Sequence, residues 1–396
     1  MIPRGRRLAA GPTADGTGPV GRDDTPEIAL SWGAQRRAGS SGSRPAGVCP
    51  EPARWRVHPS AGRRHTGPVP ERPVSRTLSE APVLAHVVRS GVVESVHRAT
   101  AVVTAADGSV EHAWGDPSGL VFPRSANKPL QALGLVEAGL DLSPHLLALA
   151  CASHSGEAFH LEGVREVLRG AGLTEADLAN TPDFPVDEQE REMWLRAGQP
   201  RTALAQNCSG KHAAMLATAV ARGWPTSGYL DPGHPVQRGI TATIERLLGG
   251  PVGALAVDGC GAPLHGIPLS GLAHAFGQVA AAPAGTAAAR VAAAIRAHPE
   301  YLGGTRRQVT TLIRQAPPAQ GLIAKDGAES VYAVGLADGR GVAVKVADGH
   351  MRAKPVVLAA VLRRIGVGSE AGYAALEDAP VLGHGEPVGS IVAVGI

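Results

Sequence analysis

The hydrophobic and polar positions change texture three times along the 396-residue chain. From "PVLAHVVRSGVVESVHRATAVVTAADGSVEHAWGD" (82–116), β-branched residues alternate with polar ones between SG and DG turn signals, which predicts consecutive antiparallel strands. Beyond it the apolar positions recur with helical spacing. Helices are predicted over 125–140, stopped near Gly139, and in "SPHLLALACAS", "EAFHLEGVREVLRGAGL" and "GKHAAMLATAVARGW". Residues 178–203 are acidic and punctuated by proline, a loop with a short helix, and helices resume over 234–248 and 284–298. Alternation then returns in "QGLIAKDGAESVYAVGLADGRGVAVKVADG" (320–349), again broken at DG, before one more helix over 354–365. Strands, a helical middle and returning strands predict a mixed α/β (α+β) fold, with an antiparallel sheet closed by both ends of the chain. No internal repeat interrupts this order.

Residues 1–78 have no period of 2 or 3.6 and are rich in Arg, Pro, Gly and Ser, so they are expected to be a disordered extension preceding a folded domain over 79–396. The extension also explains the charge. Residues 1–75 hold twelve Arg against six acidic residues, +6, so the overall +3 leaves −3 on the remainder, and nothing calls for nucleic acid. Four cysteines without paired spacing and no secretory hydrophobic core imply a reducing cytoplasm, and the Ala-rich apolar stretches are too interrupted to span a membrane. Aromatics are 3% of the chain, so its core must be built from Ala, Val and Leu.

Lysine usage changes the picture most. Of 38 basic residues only five are Lys: 128, 211, 325, 345 and 354. Where Arg serves as the general cation, a lysine is a candidate for what Arg cannot do, such as titrating or ligating a metal as a neutral amine. In "FPRSANKPLQAL", Ser125 and Lys128 stand one turn apart where a helix begins. The amine could reach Oγ there, with the helix dipole favouring negative charge. The plainer alternative is a helix cap with a surface cation. Two further motifs follow in the order of an SxxK hydrolase: "CASHSGE" (151–157), offering Ser153 or else Ser155 as a second hydroxyl, and "AKDGAE" (324–329), placing Lys325 on an edge strand facing Ser125. A second cluster joins Cys208 and Lys211 in "NCSGKHAAML" to Cys260 in "VDGCGAPLHG", sulfur and nitrogen donors that zinc accepts, with Asp258 beside them. The alternative is two buried cysteines and an anion-binding helix start. His154, His212 and His265 lack metal-triad spacing and are expected to be hydrogen-bonded neighbours. No nucleotide pattern is present.

Taken together, "PRSANKPLQAL", "CASHSGE", "NCSGKHAAML", "DGCGAPLHGIPL" and "GLIAKDGAE" resemble the Rhizobium-type, thermolabile L-asparaginase II family from about residue 81 to the C-terminus. The resemblance implies a fold similar to serine β-lactamases and glutaminases and hydrolysis of L-asparagine to L-aspartate and ammonia through a Ser/Lys acyl-enzyme. It also implies a homodimer that needs no cofactor for its chemistry. Ser125, Lys128, Ser153 and Lys325 match the family's catalytic residues, and Cys208, Lys211 and Cys260 its zinc site. Ser155, Arg307 and Asp258 are weaker candidates for substrate binding. A glutaminase or a penicillin-recognising peptidase is the alternative. One segment departs from the pattern: where the family usually carries "GTxRFDT", this chain reads "GTRRQVT", with Gln308 and Val309 in place of Phe and Asp.

Overall fold

The computed structural model describes residues 74–396, and the expected extension up to residue 73 lies outside the described residues. The described residues open with a short helix, Arg76–Ser79, whose Thr77 is buried and donates to Asp116 O.

The N-terminal strands are β1 (Val83–Arg89), β2 (Val92–Thr104), β3 (Val110–Trp114) and the short β4 (Leu120–Val121). After the helical middle come β5 (Ala254–Val257), β6 (Pro263–Pro268), β7 (Ile323–Gly327), β8 (Val331–Gly335), β9 (Gly341–Val346), β10 (Pro380–Gly383) and β11 (Glu386–Ala393). The main sheet runs β10-β11-β1-β2-β9-β8-β7, with β3 paired to β2, and its pairings are antiparallel. Strands from both ends of the chain meet where β2 pairs with β9, Thr100 opposite Lys345, so the sheet is closed as the sequence pattern predicts. A separate three-stranded sheet, β4-β6-β5, was not legible.

Helices Lys128–Glu137, Pro144–Ala150, Ala158–Gly170, Ser209–Ala221, Pro235–Leu248 and Ala287–Ala297 form where the helical period places them, and Lys354–Arg364 follows β9. The predicted helix over 143–153 stops at Ala150, because the next residues are drawn out into a loop that bonds to two other segments, described below. Helix Leu269–Ala280 was not predicted, although its buried Leu269, Leu272, Ala273 and Phe276 recur at helical spacing. It lies directly against the sheet, where Gly335 and Gly341 leave room for its backbone: a Cβ on Gly341 would come within 1.8 Å of Ala273 O, and one on Gly335 within 2.1 Å of Phe276 O. With this helix on one face and Lys354–Arg364 also packed on the sheet, every residue of β7, β8 and β9 is buried. Among the described residues no helix is long and apolar enough to cross a membrane.

Gly341→Ala forces helix and sheet apart by overpacking. It is expected to lower unfolding free energy by about 1–3 kcal/mol, measured by denaturant titration; unchanged stability would show that the gap can relax freely.

Candidate active site

The segment carrying Ser125 is a tight 3-10 turn, Arg124–Asn127, that runs into helix Lys128–Glu137, with Pro129 in the helix's first turn, where its missing N–H costs nothing. The turn departs from the regular helix start expected at Ser125. Arg124 sits at φ 52°, a left-handed conformation that costs a non-glycine residue about 1–3 kcal/mol. Its side chain is anchored in return, Nε donating to Asp258 Oδ1 at 2.7 Å. The turn is pressed onto edge strand β7 at Gly327, where a Cβ would meet Pro123 O at 2.5 Å and Ala126 N at 2.9 Å. Ser125 is left half-buried on this turn.

Lys128 is 1% exposed, and its amine donates to Ala152 O at 2.5 Å, Ser153 Oγ at 3.0 Å and Cys208 Sγ at 3.1 Å. Among the described residues it makes no hydrogen bond to Ser125. Helical spacing puts the two residues together, but three acceptors in the buried wall draw the amine inward. Ser153 is presented by a loop laced on both sides: Ser153 N donates to Leu302 O, His154 N to Asn207 O and Ser155 N to Gly303 O. Ser155 is fully buried and its hydroxyl donates to Gly303 O at 3.0 Å, so it braces the loop. The three histidines are hydrogen-bonded neighbours. His154 meets Ser209 Oγ, His212 meets Tyr229 Oη and His265 meets Thr241 Oγ1. Burial holds His154 and His212 well below the usual imidazole range and His265 at about 4, so all three are neutral.

Lys325 lies on β7 with no exposure, its amine donating to Asp326 O at 2.6 Å and Asp326 Oδ1 at 3.0 Å. Burial pulls its pKa down to about 8; Asp326 opposes this, and the charges of Lys128 and Arg307 push further down. Asp326, which the sequence reading passed over, is the hub of this wall. Besides Lys325 it accepts from Arg307 Nη2 at 2.9 Å and Lys354 Nζ at 3.3 Å. Arg307 and Asp258, both expected to face substrate, are thus tied to Asp326 and to Arg124. Glu157, accepting from Thr305 N and Oγ1, holds the start of the "GTRRQVT" segment, in which Val309 is buried. Lysine scarcity was the one signal that could have found Lys354, since all five lysines are buried, at 0–7% exposure.

Cys208 caps helix Ser209–Ala221, Lys211 is in its first turn, and Cys260 is on the hairpin between β5 and β6. All three converge: Lys211 Nζ donates to Cys260 Sγ at 3.2 Å, and Cys208, packed against Cys260, donates its Sγ–H to Asn207 Oδ1 at 3.1 Å, both cysteines being free of disulfides. The closeness of Cys260, with burial, pushes the Cys208 thiol up to about 12, while the closeness of Cys208 and the charge of Lys211 bring Cys260 down to about 5 against its burial. Burial works against a charge on Lys211, but the Cys260 and Cys208 sulfurs and Asp258 outweigh it and raise its pKa. Among the described residues no group of three His, Cys, Asp or Glu could hold a metal. The donors that do converge are two sulfurs and an amine, a set zinc accepts once the amine loses its proton. Through Lys128, which touches both Ser153 and Cys208, the sulfur cluster and the Ser/Lys cluster form one continuous site.

Burial opposes the Asp326 charge, but Lys325, Lys354 and Arg307 more than offset it and hold the carboxyl well below its ordinary range. A carboxyl depressed in this way stabilises the fold above its unfolded pKa, and the contribution disappears as pH falls through the folded value. Asp326→Asn is therefore expected to cost about 3–5 kcal/mol at neutral pH, with the gap to wild type closing in strong acid. Parallel denaturant titrations at neutral and acid pH check it, and a constant gap would refute the assignment.

Comparison with known proteins gives a match between residues 85–393 and the model of the L-asparaginase II family. No curated protein matches. Among solved structures, a beta-lactamase from Mycobacterium bovis is 16% identical with a TM-score of 0.36, over 67% of this chain and 94% of that one. A structure described as Mglu is 13% identical with a TM-score of 0.36, over 68% of this chain and 67% of that one. Neither likeness bears on the fold described above, which rests on the strand order. The family match runs from within β1 to the end of β11 and takes in every residue of the Ser/Lys and sulfur clusters: the chain belongs to the L-asparaginase II family of amide hydrolases.

Proposed function

We propose that the protein hydrolyses the side-chain amide of L-asparagine through an ester on Ser125. Ser125 Oγ attacks the amide carbon and its proton enters the Lys128, Ser153 and Lys325 network. The carbon–nitrogen bond then breaks, ammonia leaves with a proton from that network, and a β-aspartyl ester remains. Water attacks the ester, gives its proton to the same network, and aspartate departs as Ser125 is reprotonated. Backbone N–H groups of the 3-10 turn would receive the oxyanion, worth roughly 3–4 kcal/mol per well-placed donor.

The observation that carries this reading is the pair of buried amines in the walls around the Ser125 turn, one of them with its pKa brought down to about 8. An amine is a base only when neutral, and Lys325 reaches that state near neutral pH because burial disfavours its charge. Its strand packs against the turn at Gly327, which brings an inward-facing lysine to the wall behind the serine. Lys128 then serves to polarise Ser153 and to shape the field around Lys325.

A second reading makes Ser153 the nucleophile, favoured by its 3.0 Å hydrogen bond from Lys128. Ser125 is preferred because it is the more accessible of the two: Ser153 is only 6% exposed. Zinc on Cys208, Lys211 and Cys260 and a homodimeric assembly belong to the same proposal. A zinc ion there would supply fixed positive charge next to Lys128, and the steps above do not pass through it.

Two measurements test the proposal. Ser125→Ala should lower kcat/KM for L-asparagine by at least about a thousandfold, while Ser153→Ala leaves measurable ammonia release; the reverse order of damage would move the nucleophile to Ser153. Competition by L-glutamine in the same assay separates the glutaminase alternative. The pH dependence of kcat should rise through an apparent pKa near 8, because the neutral Lys325 is the active form. Lys325→Arg, which cannot titrate in this range, should abolish that limb together with most of the activity.

A further inference from the structure

Behind Asp326, where β7, β8 and the start of helix Gln308–Gln315 meet, lies a cavity of about 230 Å³ walled by Arg307, Gln308, Val309, Asp326, Tyr332 and Lys354. Its charges do not balance. Two cations that line it, Arg307 and Lys354, share the single carboxylate of Asp326, which also accepts from Lys325. Arg306, at the rim, is neutralised by Asp187 and Glu190 and adds nothing to the account. Among the described residues Arg307 spends one guanidinium nitrogen on Asp326, and its others make no side-chain hydrogen bond.

Tyr332 is an independent sign that something is missing. It is 1% exposed and lines the cavity, yet its hydroxyl has no hydrogen-bond partner among the described residues. A buried hydroxyl left unmatched costs about 1–3 kcal/mol, a cost that a ligand would remove. Burial raises its pKa well above the ordinary phenol value, so at neutral pH it is a donor in search of an acceptor. The helix beginning at Gln308 has no side-chain cap at Arg307, and its positive end opens on the same space. Val309, 2% exposed, gives that space an apolar wall with no charge of its own.

We infer that this cavity binds a small monocarboxylate, of formate to acetate size, between Arg307, Lys354 and the Tyr332 hydroxyl. A guanidinium with free N–H groups and a planar carboxylate are matched in shape as well as in charge. Burial and the charge of Arg307 both disfavour the Lys354 ammonium, with Asp326 opposing them, and a second anion reverses that imbalance.

The test is thermal unfolding of the full chain titrated with sodium formate, against sodium chloride at equal ionic strength. Wild type is expected to show a saturable rise in Tm with formate and a smaller one with chloride. Val309→Asp supplies the carboxylate internally; it should start at a higher Tm and lose the formate increment. Tyr332→Phe keeps the ring and removes the donor, and should weaken the formate midpoint about three- to tenfold. Should Val309→Asp fail to fold, Tyr332→Phe decides alone, an unchanged midpoint overturning the inference. Equal responses to formate and chloride in wild type would likewise overturn it. The readout is binding, so it is unaffected by whether the hydrolytic reading holds.

Discussion

Everything in the site depends on keeping amines charged or nearly so inside a core made of alanine, valine and leucine. An ammonium moved out of water into such surroundings loses several kcal/mol of hydration unless a partner replaces it. This molecule buries all five of its lysines, and they are partnered in four different ways. Lys345 bonds the backbone carbonyl of Val346 and that of Glu329; Lys354 and Lys325 share Asp326; Lys211 faces the Cys260 thiolate; Lys128 has only a carbonyl, a hydroxyl and a sulfur. The graded quality of these partners separates the amines chemically. Lys211 is held more firmly protonated than usual, while Lys325 approaches neutrality.

The fold serves this arrangement by bringing backbone unusually near to backbone. Gly327 lets the Ser125 turn rest on β7, and Gly335 and Gly341 let helix Leu269–Ala280 rest on β8 and β9. Edge strand β7 would otherwise be the wet side of the sheet. Covered by the turn and by helix Gln308–Gln315, it becomes a place where Lys325 is dry enough to lose its proton. The strained Arg124, the residue immediately before Ser125, is held there by Asp258 from the same hairpin that carries Cys260, so the serine turn and the sulfur cluster are positioned by one loop.

Legibility followed periodicity and local propensity together. Helices such as Pro235–Leu248 and Lys354–Arg364 separate apolar from polar faces or end on clear signals, and they lie close to where the sequence puts them. Helix Leu269–Ala280 was missed although its buried positions recur at helical spacing, because Gly271 and Gly277 break up the helical propensity of the stretch. Strands β5 and β10 have four residues each, too few for alternation to stand out. The C-terminal hairpin was missed too, although its second strand β11 has eight residues and adds to the sheet beside β1.

By itself, the sequence determined which residues are candidates for the site: the rarity of lysine, the SxxK spacing and the recurring Ser, Cys and Lys motifs single out Ser125, Lys128, Ser153, Lys325, Cys208, Lys211 and Cys260. These are facts of residue type and local spacing, and both are written along the chain. What only the tertiary structure decided is how the protons and charges are divided among them. Lys128 turns to Ser153 and Cys208 instead of Ser125, and Asp326 collects three cations from three separate segments. A hydrogen bond or a shifted pKa depends on distance and on the exclusion of water, and neither exists until segments as much as 80 residues apart have packed together.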